Sequence, residues 1–367
     1  MRIVVAVTND IVTDQRVART CDALVEDGHS VMLIGRLLPD SKPLSRPYRV
    51  CRMRLLFRRS ALFYAEYNIR LFLRLLTAKA DLFYANDTDT LLAAYCAARI
   101  CRKKVFFDAH EMFPEVPELV ARPRVKRVWE ALERKIVPRV DGAVTVCQSI
   151  ADIYREKYGV EMGVVRNVPK EMASQEPCAS QPPMILYQGA VNVGRGIDRI
   201  IDAMEFLPEM RFVVAGVGDE YEKMRAYAAS KPWGERIEFL GRLAPEELHR
   251  LTPTATIGAC LLDNMGLNYY YSLPNRIGDF VAAGVPLLAT DFPEIRRVIA
   301  TYGVGELVGE ERGEALADVI RNAVAKWAML SDDERLRRME AASRDLSWEN
   351  DKKILLGAVE AAANRKK

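Results

Sequence analysis

The apolar positions along the chain fall into short, nearly unbroken runs rich in Val, Ile and Phe. Most are followed by a longer stretch in which apolar residues return every three or four positions. In the first half the runs lie at residues 3–7, 31–34, 82–85, 105–107, 143–146 and 163–165; in the second half they lie at 184–187, 212–215, 237–240, 256–262, 285–289 and 305–308. An unbroken run of this length predicts a strand buried on both faces. Alternation with helices predicts parallel sheets wound on both sides. The pattern therefore predicts two α/β domains of Rossmann-like, doubly wound type. Residues 170–183 fit neither period and hold three prolines among small polar residues, which predicts a linker. The expected layout is a first domain at 1–170, a linker at 171–183 and a second domain at 184–346. A helix at 347–367, after a break at Ser347-Trp348, is expected to return to the first domain.

Composition narrows this little. With 367 residues, 50% hydrophobic and 28% charged, the chain can bury a core in each domain and is neither a disulfide mini-fold nor disordered. The seven cysteines (Cys21, Cys51, Cys96, Cys101, Cys147, Cys178 and Cys260) include no C-x-x-C pair, so reduced thiols in the cytoplasm are expected, with no structural zinc. The apolar start at residues 3–7 is too short for a signal peptide, and no run reaches the ~18 apolar residues of a membrane span.

Charge changes the picture more. Residues 1–170 carry 29 Lys and Arg against 20 Asp and Glu, whereas 171–367 carry 24 against 30. Residues 41–65 hold Lys42, Arg46, Arg49, Arg52, Arg54, Arg58 and Arg59 with no acid. The first half is expected to face something anionic. In residues 55–76, Leu56, Phe57, Leu62, Phe63, Tyr64, Tyr67, Leu71, Phe72 and Leu75 alternate with Arg58, Arg59, Arg70 and Arg74. That mixture suits the surface of an anionic bilayer or, equally, a core helix with a solvated basic edge. No nucleic-acid partner is expected.

In doubly wound domains ligands bind beyond the carboxyl ends of the strands, so the residues just after strands carry the candidate chemistry. Ser272-Leu273-Pro274-Asn275-Arg276 reads as a helix start, with Ser272 as cap and Pro274 in the first turn. Its free N–H groups and Arg276 predict an anion site, and Asp279, one turn on, is placed to accept hydrogen bonds from ribose hydroxyls. The loop Gly189-Ala190-Val191-Asn192-Val193-Gly194-Arg195-Gly196 is a second phosphate-type loop, with glycines for close backbone approach and Arg195 for charge. Gly216-Val217-Gly218 follows another strand but lacks the third glycine of a dinucleotide fingerprint. In the first half, Asp108-Ala109-His110-Glu111 follows a strand, and there a ring nitrogen of His110 can meet a substrate hydroxyl. The loop holding Asn9, Asp10 and Arg16 and the one holding Asp87 are expected beside it. No second His completes a zinc set, so no metal is expected.

These residues together resemble the retaining, nucleotide-sugar-dependent glycosyltransferases of family 4 (group 1), whose GT-B fold sets two facing Rossmann-like domains around an inter-domain cleft. The resemblance runs from Asn9-Asp10 through Asp108-Ala-His-Glu111, Arg166-Asn-Val-Pro169 and Gly189…Gly194-Arg-Gly196 to Ser272-Leu-Pro-Asn-Arg276, Asp279…Gly284-Val-Pro286 and Ser347-Trp-Glu349. It implies a hexosyltransferase-type enzyme that moves a sugar from a UDP-, GDP- or ADP-sugar to a hydroxyl of a glycan or lipid-linked acceptor. The setting would be surface polysaccharide or glycolipid synthesis at the inner face of the cytoplasmic membrane, with no obligatory metal or other cofactor.

By position, Asp279 matches the second acid of the family's Glu-x7-Glu motif, which holds the ribose. Arg195 matches the basic residue on the donor diphosphate, and His110 matches the His near the reacting sugar. His110, Arg195, Arg276 and Asp279 are thus the implied catalytic set. Gly189, Gly194, Gly196, Gly218 and Ser272–Asn275 are implied on the donor side, and Asn9, Asp10, Arg16, Asp87, Asp108 and Glu111 on the acceptor side. Two positions depart from the family: Tyr271 stands for the first acid and Ala190 for an Arg after the loop glycine. They keep open a catalytically silent binding partner, while a nucleotide-sugar epimerase, which shares this architecture, is the alternative from another reaction class.

Overall fold

The computed structural model describes residues 1–12, 14–169 and 180–365, with backbone alone at 117 and 118. Cys178 and most of the expected linker, 171–179, lie outside the described residues. The chain divides into two compact units. Unit 1 is Met1–Asn167 with Gly266–Asn268 and Asp351–Lys367, and unit 2 is Val168–Met265 with Tyr269–Asn350.

Unit 1 is built on β1 (Arg2–Asp10), β2 (Ser30–Leu37), β3 (Arg49–Arg54), β4 (Leu82–Asn86), β5 (Lys104–Ala109), β6 (Gly142–Thr145) and β7 (Gly163–Val164). They form one parallel sheet in the order β3-β2-β1-β4-β5-β6-β7. The central apolar runs end up where burial is complete, since every residue of β4 and six central residues of β1 are buried. β3 was not predicted. Its Arg49, Arg52 and Arg54 interrupt the apolar run, and only Met53 is buried, as suits an edge strand whose charges discourage pairing with another chain.

Unit 2 holds β8 (Met184–Gln188), β9 (Arg211–Ala215), β10 (Ile237–Gly241), β11 (Ile257–Cys260), β12 (Leu287–Thr290) and β13 (Gly305–Val308), parallel in the order β10-β9-β8-β11-β12-β13. Its two faces carry separate cores. Met184 and Leu186 of β8 join Phe280, Ile295 and Met339 on one side, while Ile185 and Tyr187 join Ile200, Leu261 and Leu316 on the other. Period-two alternation divides one strand between two helical layers, which is why the strand reads as a continuous apolar run.

In both sheets the strand order reverses beside the first strand, at β1/β4 and at β8/β11. Loops leaving the carboxyl ends there diverge to opposite faces and open a crevice, the usual ligand position of doubly wound sheets. The six described cysteines are free thiols. Among the described residues, no helix is long and apolar enough to cross a membrane.

Candidate functional sites of the two units

In unit 1 the polar residues beyond β1, β4 and β5 condense around Asp108, the fifth residue of β5, whose side chain is fully buried. Asp14 caps the helix Gln15–Glu26 by accepting from Val17 N at 3.0 Å. This fixes Arg16 in the first turn, pointing inward, where Nη2 donates to Asp108 Oδ1 at 2.7 Å and Nη1 to the Val165 carbonyl at 2.7 Å. Tyr84 Oη donates to Asp108 Oδ2 at 2.7 Å. Burial works against this charge, but Arg16 and His110 hold the carboxyl well below the usual carboxylate range.

His110 sits just past β5. Its Nδ1 lies 3.3 Å from Asp87 Oδ2, and its Nε2 lies 3.1 Å from Asn86 Oδ1 and 3.5 Å from Asp108 Oδ2. Burial disfavours the imidazolium, yet Asp87 and Asp108 outweigh it and raise the pKa to about 9. At neutral pH both ring nitrogens donate, and the ring is a cation in a carboxylate cradle rather than a free base. Asp87 also accepts from His110 N at 2.8 Å, with its own φ at +59°, a strained region for a residue with a side chain.

Asp89 stands two residues on, in the first turn of the helix Thr88–Cys101, and Thr8 Oγ1 donates to it at 2.6 Å. Burial, then the negative Asp87, push its pKa up to about 8, so it is largely protonated at neutral pH. Among the described residues, its Oδ1 has no partner.

The other expected acceptor-side residues make different contacts. Asn9 Nδ2 donates to Asp14 at 3.0 Å. Asp10 accepts from Val12 N at 3.2 Å, from Ser41 and from Arg52 at 3.5 Å. Glu111 accepts from Asn268 Nδ2 at 3.3 Å, while Asn268 Oδ1 accepts from Met112 N at 3.0 Å.

In unit 2 two loops interlock at the ends of β8 and β9. Gly189 N donates to the Ala215 carbonyl at 2.9 Å, Val191 N to Val217 at 3.2 Å and Glu220 N to Val191 at 2.9 Å. A Cβ on Gly218 would stand 2.3 Å from Asn192 Oδ1, so Gly218 is needed for this fit between loops.

Arg276 lies in the first turn of the helix Asn275–Ala282 and is only 7% exposed. Its guanidinium carbon is 4.2 Å from the centre of the Tyr187 ring, and Nη2 lies 3.5 Å from where a Gly189 side chain would begin. Gly189, at φ +118°, thereby leaves room for the cation. Among the described residues, Arg276 Nη1 is buried without a partner. Arg195, partly buried, lies 4.8 Å over the Tyr269 ring, and its buried Nε has no partner among the described residues. Gly194 and Gly196 flank it, at φ +74° and +66°. Burial raises the Cys260 thiol pKa, and Arg276 and Arg195 pull it back, so this thiol at the end of β11 feels both cations. Asp279 sits one turn inside the helix, and Gln188 Nε2 reaches it at 3.3 Å while Thr252 donates to Gln188 Oε1 at 2.9 Å.

The expected cap is corrected. Pro274 occupies the cap position itself, the helix begins at Asn275, and no side chain caps it. The Ser272 hydroxyl donates to the Tyr269 carbonyl at 2.8 Å, because the chain there is already turning behind the short helix Leu267–Tyr270. Leu273 packs on the core of unit 2, and Asn275 is exposed. Tyr187, Gln188 and Tyr269 fall in the stretches the sequence singles out but were given no role there, and Thr252 was not singled out. Tyr187 and Gln188 end a predicted strand at a glycine loop, which is a readable signal. Thr252 offers none. Among the described residues, no three His, Cys, Asp or Glu side chains gather to hold a metal ion.

Glycosyltransferase Family 4 is matched over residues 14–169 and Glycosyl transferases group 1 over residues 170–345. No curated protein matches the chain by sequence. Solved structures do resemble it in fold. A sucrose-phosphate synthase from Thermosynechococcus elongatus has a TM-score of 0.78 at 15% identity, covering 98% of each chain. The lipopolysaccharide outer core galactosyltransferase WaaB, in its apo form, has a TM-score of 0.71 at 13% identity over 98% of this chain and 99% of that one. The Anabaena protein HepE, in complex with UDP-glucose, has a TM-score of 0.73 at 13% identity over 98% of this chain and all of the other. Two parallel α/β units with such neighbours make the fold GT-B.

Proposed function

We propose, starting from the fact that the chain belongs to the group 1 glycosyltransferases of family 4, that it moves a hexose from a nucleotide-diphosphate sugar to an acceptor hydroxyl with retention of configuration. The observation that carries this reading is the pair of aromatic-held arginines in unit 2, Arg276 buried and Arg195 partly so. Arg276 and Arg195 rest on tyrosine faces, and Arg276 Nη1 and Arg195 Nε have no partner among the described residues. A buried donor without an acceptor is costly unless a ligand supplies one. A diphosphate has the oxygens and the charge to do so.

The chemistry asks little covalent work of the protein. As the nucleotide diphosphate departs, negative charge grows on its leaving oxygen, and Arg195 with Arg276 stabilises that charge where it forms. Asp279, steadied by Gln188, accepts from the ribose hydroxyls. The acceptor hydroxyl attacks from the face the phosphate leaves and passes its proton to the leaving phosphate oxygen. In unit 1 the imidazolium of His110, both of its N–H groups engaged by the cradle, supplies positive charge near the reacting sugar and takes no proton. Arg276 lies against Gly189, the residue before Ala190, which supports its standing in for the Arg the family often carries there. The acceptor in this reading is a lipid-linked glycan of surface polysaccharide or glycolipid synthesis, met at the inner face of the cytoplasmic membrane.

Thermal shift with UDP-, GDP- and ADP-sugars tests the donor assignment. One nucleotide should stabilise the protein, and Arg276→Gln and Asp279→Ala should each weaken its binding at least tenfold. No response to any nucleotide would favour a silent binding partner. Conversion of the donor to its epimer without acceptor would make the protein an epimerase.

A further inference from the structure

The helix Ser60–Thr77 has two apolar faces. Phe63, Tyr67, Leu71 and Leu75 recur at helical spacing and are buried, anchoring the helix on the sheet of unit 1. Leu62, Ile69 and Leu73 project about half a turn away, on the solvent side, and are 55%, 60% and 57% exposed. The expected interleaving of apolar and basic residues is thus corrected: Phe63, Tyr67, Leu71 and Leu75 belong to the core, and Ile69 and Leu73 are added outside. A soluble surface helix needs one apolar stripe, and a second opposite stripe needs a partner.

The loop before the helix extends the outer stripe. Glu66 accepts from Leu56 N at 2.9 Å and from Phe57 N at 2.9 Å, and it pairs with Arg70 at 2.8 Å. The one acid in residues 41–80 is therefore spent inside the patch. It ties the backbone of Leu56, 80% exposed, and of Phe57 to the helix four residues after Leu62. Arg54, Arg58 and Arg59, close in sequence to Leu56 and Phe57, and Arg74, next to Leu73, are exposed as well. Apolar side chains backed by guanidinium groups complement a surface of anionic headgroups over hydrocarbon, and a purely apolar partner would leave the arginines unanswered.

We infer that this face of unit 1 docks the protein on an anionic phospholipid bilayer, with Leu56, Phe57, Leu62, Ile69 and Leu73 entering the interface and the arginines meeting lipid phosphates. The inference deepens the lipid-linked acceptor reading, but its test reads vesicle binding and not transfer.

Co-sedimentation of the full chain with phosphatidylcholine vesicles, with and without phosphatidylglycerol, should show binding only when the anionic lipid is present. The variant Leu62→Ser/Ile69→Ser/Leu73→Ser should bind at least tenfold more weakly. Each of Arg58→Gln and Arg59→Gln should lower partitioning about fivefold and flatten its salt dependence. All are surface changes, so the melting point and the nucleotide-induced thermal shift should stay as in the parent. Equal binding to neutral and anionic vesicles, or none to either, overturns the inference. So does sedimentation velocity showing a dimer that Ile69→Ser dissociates, since a second copy would then own the stripe. A lost nucleotide shift with vesicle binding intact would instead count against the donor assignment.

Discussion

A carboxylate with no solvent exposure, Asp108, sets the charge state of its neighbours. Removing Arg16 or His110 would leave it buried and undercompensated, which typically costs 3–5 kcal/mol. His110 feels the reciprocal effect. Its pKa rises from 6.5 to about 9 in the folded chain, despite the opposing cost of burial, because Asp87 and Asp108 face it. A raised histidine pKa adds stability that is fully present below 6.5 and is lost as pH climbs through 9. The whole contribution is on the order of 3 kcal/mol. The expected outcome is a parent melting temperature that falls between pH 6.5 and 9.5 and a His110→Gln variant that starts lower and lacks that slope. Parallel melting curves for the two proteins would show that the imidazolium is not held by this cradle. The sequence marked His110 because it follows a strand end among acids. It did not mark the cradle, since Arg16 and Asp108 are 92 residues apart and meet only through the parallel order of β1, β4 and β5.

At the level of elements, legibility followed the continuity of the apolar run more than burial, since β10 was readable although none of its residues is buried. Strands buried on both faces have only apolar residues to show and were readable, whereas β3 hides its pairing under alternating arginines. The Ser272 cap failed for a local reason: a short helix just upstream claims the hydroxyl, and a capping signature does not reveal what precedes it. The interlocked loops of unit 2 are the opposite case, in which glycines mean closeness between two elements rather than freedom to bind phosphate. A Cβ at Gly216 would lie 1.8 Å from the Gly189 carbonyl oxygen, closer than any real contact. Gly216→Ala should therefore force the β9 loop off the β8 loop and tilt the backbone that holds Gly189 under Arg276. Loss of ~2–3 kcal/mol of stability is expected, within the overpacking range. Nucleotide affinity should fall with it, although residue 216 itself touches no proposed ligand. Chemical denaturation beside nucleotide titration checks both, and unchanged affinity in a destabilised variant would uncouple the two loops.

Across the whole molecule the near-balance of charge conceals an asymmetry: the basic surplus lies in residues 1–170 and the acidic surplus in the rest, so under the proposed reading a few local arginines would hold the nucleotide in an acidic setting. The chain also closes on itself, because Asp351–Lys367 is part of unit 1. Asp351 is fully buried and accepts from Arg166 N, from Nε at 3.2 Å and from Nη2 at 2.8 Å. Leu355, Val359 and Ala362 are buried along the same helix, and the absence of side chains at Gly142 and Gly163 lets Ala362 and Ile354 approach β6 and β7. Asp351→Ala removes the fully buried carboxylate that accepts from the Arg166 backbone and guanidinium, a loss of about 3–5 kcal/mol. Because that pair belongs to one unit, the damage should be local. Hydrogen exchange in the variant should quicken by two to three orders of magnitude at β6 and β7 while the amides of β8 to β13 keep their parent rates. Uniform acceleration across both sheets would mean that the two units unfold together, and the terminal helix would then be a clamp on the entire chain rather than the last element of unit 1.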